Sequence, residues 1–306
     1  MREHDVLAER FEEQRGQLRS MAYRLLGSAA EAEDAVQEAW FRLARADPDE
    51  VDNLAAWLRT VVTRICLDML RSRRSRREDL AGDVGDVTAE RPPAAGHPPA
   101  AGRPPEEEAV LADSVSRALL VVLDTLTPAE RIAFVLHEMF AVPFGEIGRI
   151  VDRTPEAAKK LASRARQKVR GSAAAPAADL VRHRRVVSAF LAAARAGDVD
   201  GVLAVLAPDV VRRVDAAALP PGVPAEVRGA RGVAEGTAAF AARSALAELA
   251  LVNGDVGAVL APRGRLTIAL TFTFEGERIT SYDVIADPAR LRELDLAVLA
   301  TDPPEA

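Results

Sequence analysis

Lysine is almost missing from this chain of 306 residues: it occurs only at 159, 160 and 168, so nearly every basic side chain is an arginine. Cysteine is rarer still. The single Cys66 excludes an intrachain disulfide, and four scattered histidines (His4, His97, His137, His183) offer no ligand spacing for a structural metal. No metal and no cofactor is expected. Aromatic residues make up 4% of a chain that is 49% hydrophobic, so its core has to be built mainly from Ala, Val and Leu. No uncharged apolar run of about 18 residues occurs, which argues against a membrane-spanning helix. The opening MREHDVLAERFEEQ is charged from its second residue, unlike a secretory leader. The expectation is a cytoplasmic chain in a reducing compartment, away from membranes.

A formal net charge of −6 argues against coating nucleic acid by bulk attraction, but the charge is unevenly placed. Basic blocks stand at 71–77 (RSRRSRR) and 159–170 (KKLASRARQKVR), and acidic ones at 31–38 (EAEDAVQE) and 105–108 (PEEE). Between them the chain runs through two PPAAG copies at 92–102, a composition that favours an extended linker over packing. These features divide the chain into a module at 5–77, a linker at 78–108, a module at 109–171, a short break at 172–179 and a module at 180–300.

The first module reads as helices. Ser28 with Glu31 forms a capping box, and Val36, Ala39, Trp40 and Leu43 follow at helical spacing, so one face is core. The other face carries Asp34, Gln37, Glu38 and Phe41, an acidic and amide stripe with one aromatic that a solvated helix could also show. After an Asp47-Pro48 turn, Trp57, Leu58, Val61, Val62, Ile65, Met69 and Leu70 pattern a second long helix, with Arg59, Arg64, Arg71 and Arg73 off its apolar stripe or at its end. Arginines in a last turn also suit the helix dipole, so a structural role is open for some of them.

In the second module Thr127-Pro128-Ala129-Glu130 is a capping box with proline at the first helical position. A short helix around 143–151, the turn Asp152-Arg153 and a helix from 155 to about 169, capped by Thr154 and loaded with cations, have the pattern of a helix-turn-helix. Glu156, Lys159, Lys160, Ser163 and Arg164 lie where a recognition helix reaches base edges or phosphates.

In the third module helical patterning through 184–210 gives way to strands at 249–252, 258–261, 266–274 and 278–285, with a turn at Glu275-Gly276-Glu277. Asp287-Pro288 then starts a helix expected to run through Leu291, Leu294 and Leu299. Helices followed by a curved antiparallel sheet imply an α+β domain able to enclose a pocket.

The order EAEDAVQEAWFRLAR, NLAAWLRTVVTRICLDMLRSRRSRR, linker, then LDTLTPAERIAFVLHEMFAVPFGEIGRIVDRTPEAAKKLASRARQKVR resembles regions 2 and 4 of bacterial extracytoplasmic-function sigma factors. The third module is similar to the SnoaL-like (NTF2-like) cone domain fused behind region 4 in one subgroup, on Ala207-Pro208-Asp209-Val210, Val252-Asn253-Gly254 and Val284-Ile285-Ala286-Asp287-Pro288. The resemblance implies a multidomain fold of two all-α modules and an α+β domain. It implies core polymerase contacts (the β′ clamp, with the β flap as a further partner) for Asp34, Gln37, Glu38 and Phe41. It implies −10 promoter DNA contacts for Asn53, Trp57, Arg64, Asp68, Arg71 and Arg73, and −35 contacts for Glu156, Lys159, Lys160, Ser163 and Arg164.

By the same resemblance the third domain modulates activity in place of a separate anti-sigma factor, with Asp215 at the position of that subgroup's regulatory-domain aspartate. A small-molecule ligand of the third domain is a further partner that its fold allows. Two other readings stay open. One is a ligand-sensing helix-turn-helix regulator, which leaves 31–77 without a role. The other is an enzyme working in the third domain's pocket through groups such as Asp215, Glu226, Asp255, Tyr282 or Asp283, with His183 at its entrance. No catalytic residue is expected, and Cys66 reads as a buried small hydrophobe.

Overall fold

The computed structural model describes residues 2–46, 53–82, 116–219 and 222–299. The Asp47-Pro48 turn and the PPAAG linker lie outside the described residues. The chain gathers into two compact units, one drawn from residues up to 115 together with 127–162, the other from 116–126 together with 163 onwards. The stretch expected as one helix-turn-helix module therefore contributes helices to both.

In the first unit, α1 (Arg2–Leu26), α2 (Ala29–Leu43) and α3 (Leu54–Gly82) pack on one another. Their core is Met21, Leu25, Val36, Leu58, Leu67 and small residues, as the low aromatic content requires. Ser28 caps α2 by accepting from the Glu31 N–H, but the Glu31 carboxylate pairs with Arg73 instead of returning to the cap, so only half of the expected capping box forms. The stronger charge-assisted bond to a guanidinium wins over a bond to one backbone amide. A buried carboxylate, Glu33, holds Arg15 at 2.6 Å and Arg19 at 3.6 Å. Cys66 is buried, and burial pushes its thiol up to about 12, leaving it protonated and inert, as its place on the apolar face suggested.

The α5 helix (Pro128–Phe134) opens on the expected Thr127–Glu130 capping box and continues as a π-turn, Val135–Met139. The α6 helix (Phe144–Val151) ends at Asp152 in the left-handed region, φ 56°, with the Asp152 and Arg153 amides both donating to the Gly148 carbonyl. The α7 helix (Pro155–Arg170) starts at once, Thr154 Oγ1 accepting from the Ala157 amide at 3.2 Å. A Cβ at Gly148 would stand 2.7 Å from the Arg153 carbonyl oxygen and 3.3 Å from the Pro155 nitrogen, both backbone atoms. The corner closes only because that side chain is missing.

The second unit holds α4 (Arg117–Asp124), the end of α7 and all that follows. Its seven strands are β1 (Leu206–Val214), β2 (Glu226–Arg228), β3 (Ala247–Val252), β4 (Asp255–Leu260), β5 (Ile268–Glu275), β6 (Arg278–Ile285) and β7 (Leu296–Ala297), in the order β2-β1-β6-β5-β4-β3-β7. Pairing is antiparallel except for β1 with β6, which is parallel. The α8 helix (Ala177–Ala196), α9 (Val199–Val205) and α10 (Ala230–Ala238) join one face of the sheet in a core around Val187, Phe190, Val202, Val233, Phe272 and Tyr282. The α+β cone is thus present.

Two expectations in this unit fail. The helical pattern read through Val210 ends at Val205, and 206–214 is strand. The paired Val210-Val211 and Arg212-Arg213 after Pro208 carry no clean two-residue alternation to mark a strand, and sheet pairing decided it. The last helix, α11 (Pro288–Glu293), stops before Leu294, and Leu296–Ala297 pairs with β3. Its start is as read, with Asp287 accepting from the amides of Ala289 and Arg290.

Asp215 follows β1 and is nearly buried. Its Oδ2 accepts from the amides of Ala286 at 3.0 Å and Asp287 at 3.1 Å, and its Oδ1 pairs with Arg290. Burial alone would push the carboxyl up. The two amide donors and Arg290 together outweigh burial and hold it below the usual carboxylate range.

Two outcomes follow from these contacts. Gly148→Ala should lower unfolding free energy by about 1–3 kcal/mol in urea titration, because backbone, not a movable side chain, meets the added methyl. For Asp215→Asn, a carboxyl with a depressed folded pKa stabilises above the unfolded value of about 3.9 and loses that contribution as pH falls through the folded value. The stability gap between wild type and variant should hold from neutral pH to about pH 5 and shrink below about pH 4, measured by thermal unfolding across that range.

Candidate functional site

Three surfaces carry the residues singled out by sequence. On α2, Asp34, Gln37, Glu38 and Phe41 are all exposed, and Phe41, at 55% exposure, is the largest outward aromatic among the described residues. Glu38 pairs with Arg42 at 2.9 Å. Gln37 and Phe41 border a groove of about 200 Å³ between α1 and α2, floored by Phe11 and Trp40, whose rings lie 5.0 Å apart. The α1 wall of this groove was not read from sequence. An aromatic anchor beside carboxylates and amides can grip an apolar and basic partner.

On α3, Asn53 serves as the N-cap, its Oδ1 accepting from the Ala56 amide at 3.0 Å. Arg64, Asp68 and Arg71 are exposed and Trp57 is half-buried. Arg71 stands 3.8 Å from Asp68. Arg73 differs from its neighbours. It pairs with Glu31 and donates to the Leu26 carbonyl at 2.9 Å, so it ties the end of α1 and the start of α2 to α3. Within the same unit Arg64 donates to the Arg149 carbonyl on α6 at 3.1 Å, and Arg59 pairs with Glu146 of α6 at 2.9 Å.

On α7, Glu156, Lys159, Lys160, Ser163 and Arg164 are exposed, while Ala158, Ala162, Ala165 and Val169 are buried. Small side chains on the buried stripe let the helix lie close to its support. The opposite face is left to polar and charged groups. The Glu156 carboxyl is held below its usual range by a backbone amide of its own first turn and by the Thr154 hydroxyl, which favours its charged form at the helix start. Thus α7 presents two lysines and an arginine at i, i+1 and i+5, a spacing that can straddle a groove and its phosphates.

In the second unit Asp215 acts as a strap that ties the end of β1 to the 286–290 segment. Among the groups weighed for acid–base chemistry, only Tyr282 borders the cavity inside this unit; Asp215, Glu226, Asp255, Asp283 and His183 are not among its described lining residues. His183 Nδ1 lies 2.9 Å from Asp255 Oδ1, and its ring stacks on Phe274 at 3.8 Å. Sequence reading missed Arg212, which does border the cavity. Its signal was an arginine at an inward position of a strand, hidden because 206–214 was read as helix.

No helix among the described residues is long and apolar enough to cross a membrane. A family model for sigma-70 region 2 matches residues 11–76, and one for sigma-70 region 4 matches 116–169. Among curated proteins, the chain is 40% identical over 267 residues to the ECF RNA polymerase sigma factor SigJ of Mycobacterium tuberculosis, covering 82% of this chain and 80% of that one. It is also 36% identical over 220 residues to the probable ECF RNA polymerase sigma factor SigI of the same species, covering 71% and 72%. A crystal structure of Mycobacterium tuberculosis SigJ aligns over 93% of this chain and 98% of that chain at 32% identity, with a TM-score of 0.44. Both matched regions carry the exposed faces just described, in the family's order, and the chain belongs to the extracytoplasmic-function RNA polymerase sigma factors.

Proposed function

We propose a division of labour among the three surfaces of this sigma factor, which directs core RNA polymerase to promoters for transcription initiation. The α2 face of Asp34, Gln37, Glu38 and Phe41 docks on the clamp of the β′ subunit. The α3 face, with Asn53, Trp57, Arg64, Asp68 and Arg71, handles the opened −10 strand, and Arg73 supports it from behind. The α7 face reads the −35 element, and the helices of region 4 meet the β flap. The chain works where polymerase works, in the cytoplasm, and needs no catalytic step of its own.

The single observation that carries this reading is the division of α7. Its buried stripe is entirely small or branched apolar residues, and every residue assigned to the −35 element lies on the other face. A net acidic chain concentrates its only lysines there. Non-specific attraction to DNA is thereby kept low, and contact is left to one helix once polymerase has positioned it.

The fused domain modulates activity in this reading. Support comes from inside the second unit, where α4, the first helix of region 4, packs on β3, β4 and β7. Glu248 of β3 accepts from Ser116 Oγ at 2.7 Å and from the Ala118 amide at 3.0 Å, capping that helix. Val298 beside β7 donates to the Val169 carbonyl of α7 at 2.8 Å. Rearrangement of the sheet would reach both ends of region 4. In the first unit, Arg64 must release the Arg149 carbonyl before it can hold a DNA strand.

The test is binding to purified core polymerase followed by transcription from a promoter library with the full chain. Phe41→Ala should weaken core binding about tenfold or more, as loss of an aromatic anchor does. Lys159→Ala and Arg164→Ala should each lower promoter-specific transcripts about 5- to 50-fold with core affinity unchanged. Undiminished promoter activity in both would remove α7 from −35 reading. A full chain that shifts duplex DNA but never binds core polymerase would be a ligand-sensing helix-turn-helix regulator instead.

A further inference from the structure

The second unit contains a buried cation with no counter-ion among the described residues. Arg212 on β1 is only 4% exposed, and its Nε has no hydrogen-bond partner. No described carboxylate lies within ion-pair distance of it. The parallel register of β1 and β6 sets Arg212 beside Tyr282. The Tyr282 hydroxyl is 2.7 Å from Thr237 Oγ1, which itself donates to the Val233 carbonyl at 2.8 Å. Thr237 therefore has to accept the tyrosine proton, and the remaining lone pairs of the phenol face the guanidinium side.

Space for the guanidinium is built in. A Cβ at Gly236 on α10 would stand 2.6 Å from Arg212 Nη1, so glycine is needed for the arginine to sit where it does. The cavity it borders, about 90 Å³, is walled mainly by apolar groups, among them Phe190, Leu191, Val214, Leu260, Leu270 and Val284, with Thr237, Ser244 and Tyr282 as its other polar side chains. A guanidinium keeps its charge when buried, and a buried unpaired charge is strongly unfavourable. An arginine kept here without a described carboxylate partner is poised for one from a ligand.

We propose that this cavity binds a small apolar monocarboxylate, its carboxylate on Arg212 with the Tyr282 hydroxyl nearby, and its hydrocarbon body among the apolar walls. The two guanidinium edges match a carboxylate in a way no neutral group does. At roughly one heavy atom per 10–15 Å³ of such space, the cavity takes about six to nine heavy atoms, the size of benzoate or hexanoate. The site goes beyond promoter recognition and does not depend on it, since it is read out by binding alone.

The experiment is calorimetric titration of the full chain with benzoate, hexanoate, acetate and neutral benzamide. Benzoate and hexanoate should bind with Kd on the order of 0.1–1 mM, and benzamide and acetate about tenfold more weakly. Arg212→Met should lose about tenfold or more of the benzoate affinity while melting no lower than wild type, because it removes a buried charge. Raising salt to about 0.5 M should leave benzoate binding nearly unchanged, as a buried pair is little screened. Equal affinity for benzoate and benzamide, no binding of either acid at about 10 mM, or salt-labile binding to surface arginines would overturn the proposal. Those comparisons use wild-type protein and decide it even if Arg212→Met does not fold.

Discussion

A guanidinium drawn even partly out of water has to meet an oxygen, and in a chain whose cations are nearly all arginine this rule decides which of them build the fold and which are left to act. Glu33 takes Arg15 and Arg19, Glu31 takes Arg73, and Glu146 takes Arg59. Arg131 reaches the Arg24 carbonyl at 3.5 Å, and Arg278 the Leu206 carbonyl at 2.8 Å. Each pairing fixes two elements against one another. Lysine, with a compact and strongly hydrated head, suits none of these forked contacts, and its appearance only on α7 fits a helix whose charges face water.

The rule explains how much of the site was legible. Exposed faces can be read from periodicity because the buried stripe announces them: Val36, Ala39 and Leu43 placed the α2 face, and Ala158, Ala162, Ala165 and Val169 define that of α7. Caps were equally plain, since Thr127, Thr154 and Asp287 act within a few residues of themselves. Arg73 was not, because its partners Glu31 and the Leu26 carbonyl are more than forty residues away. No local pattern separates an arginine that ties three helices together from one that waits for a phosphate.

The fold of the third domain shows the same boundary between local and distant causes. Strands β5 and β6 alternate and meet at a tight turn, so they were read nearly to the residue. Strand β1 pairs with β6 across more than sixty residues, and β7 exists only because β3 offers it an edge. Strand β7 is only two residues long, and the sequence of β1 lacks the two-residue alternation that would set it apart from helix. The α4 helix was not singled out in the sequence, and only the tertiary structure shows it lying on the sheet with Glu248 at its start.

That placement changes what a boundary drawn at 171 would mean. A chain ending there would keep every family signature of region 4 yet strip α4 of its cap and of the sheet beneath it. Lost promoter activity in such a fragment would report an unsupported helix as readily as a missing regulator. Point substitutions on exposed faces do not share this ambiguity, because Lys159, Lys160 and Phe41 lie on the solvent side of their helices. The helix-turn-helix corner at Gly148 and the Asp215 strap do support structure, and both are tied down by backbone contacts. Arg212 belongs to neither group, since it is buried like a structural arginine and yet has only the neutral Tyr282 hydroxyl beside it and no described carboxylate within ion-pair distance.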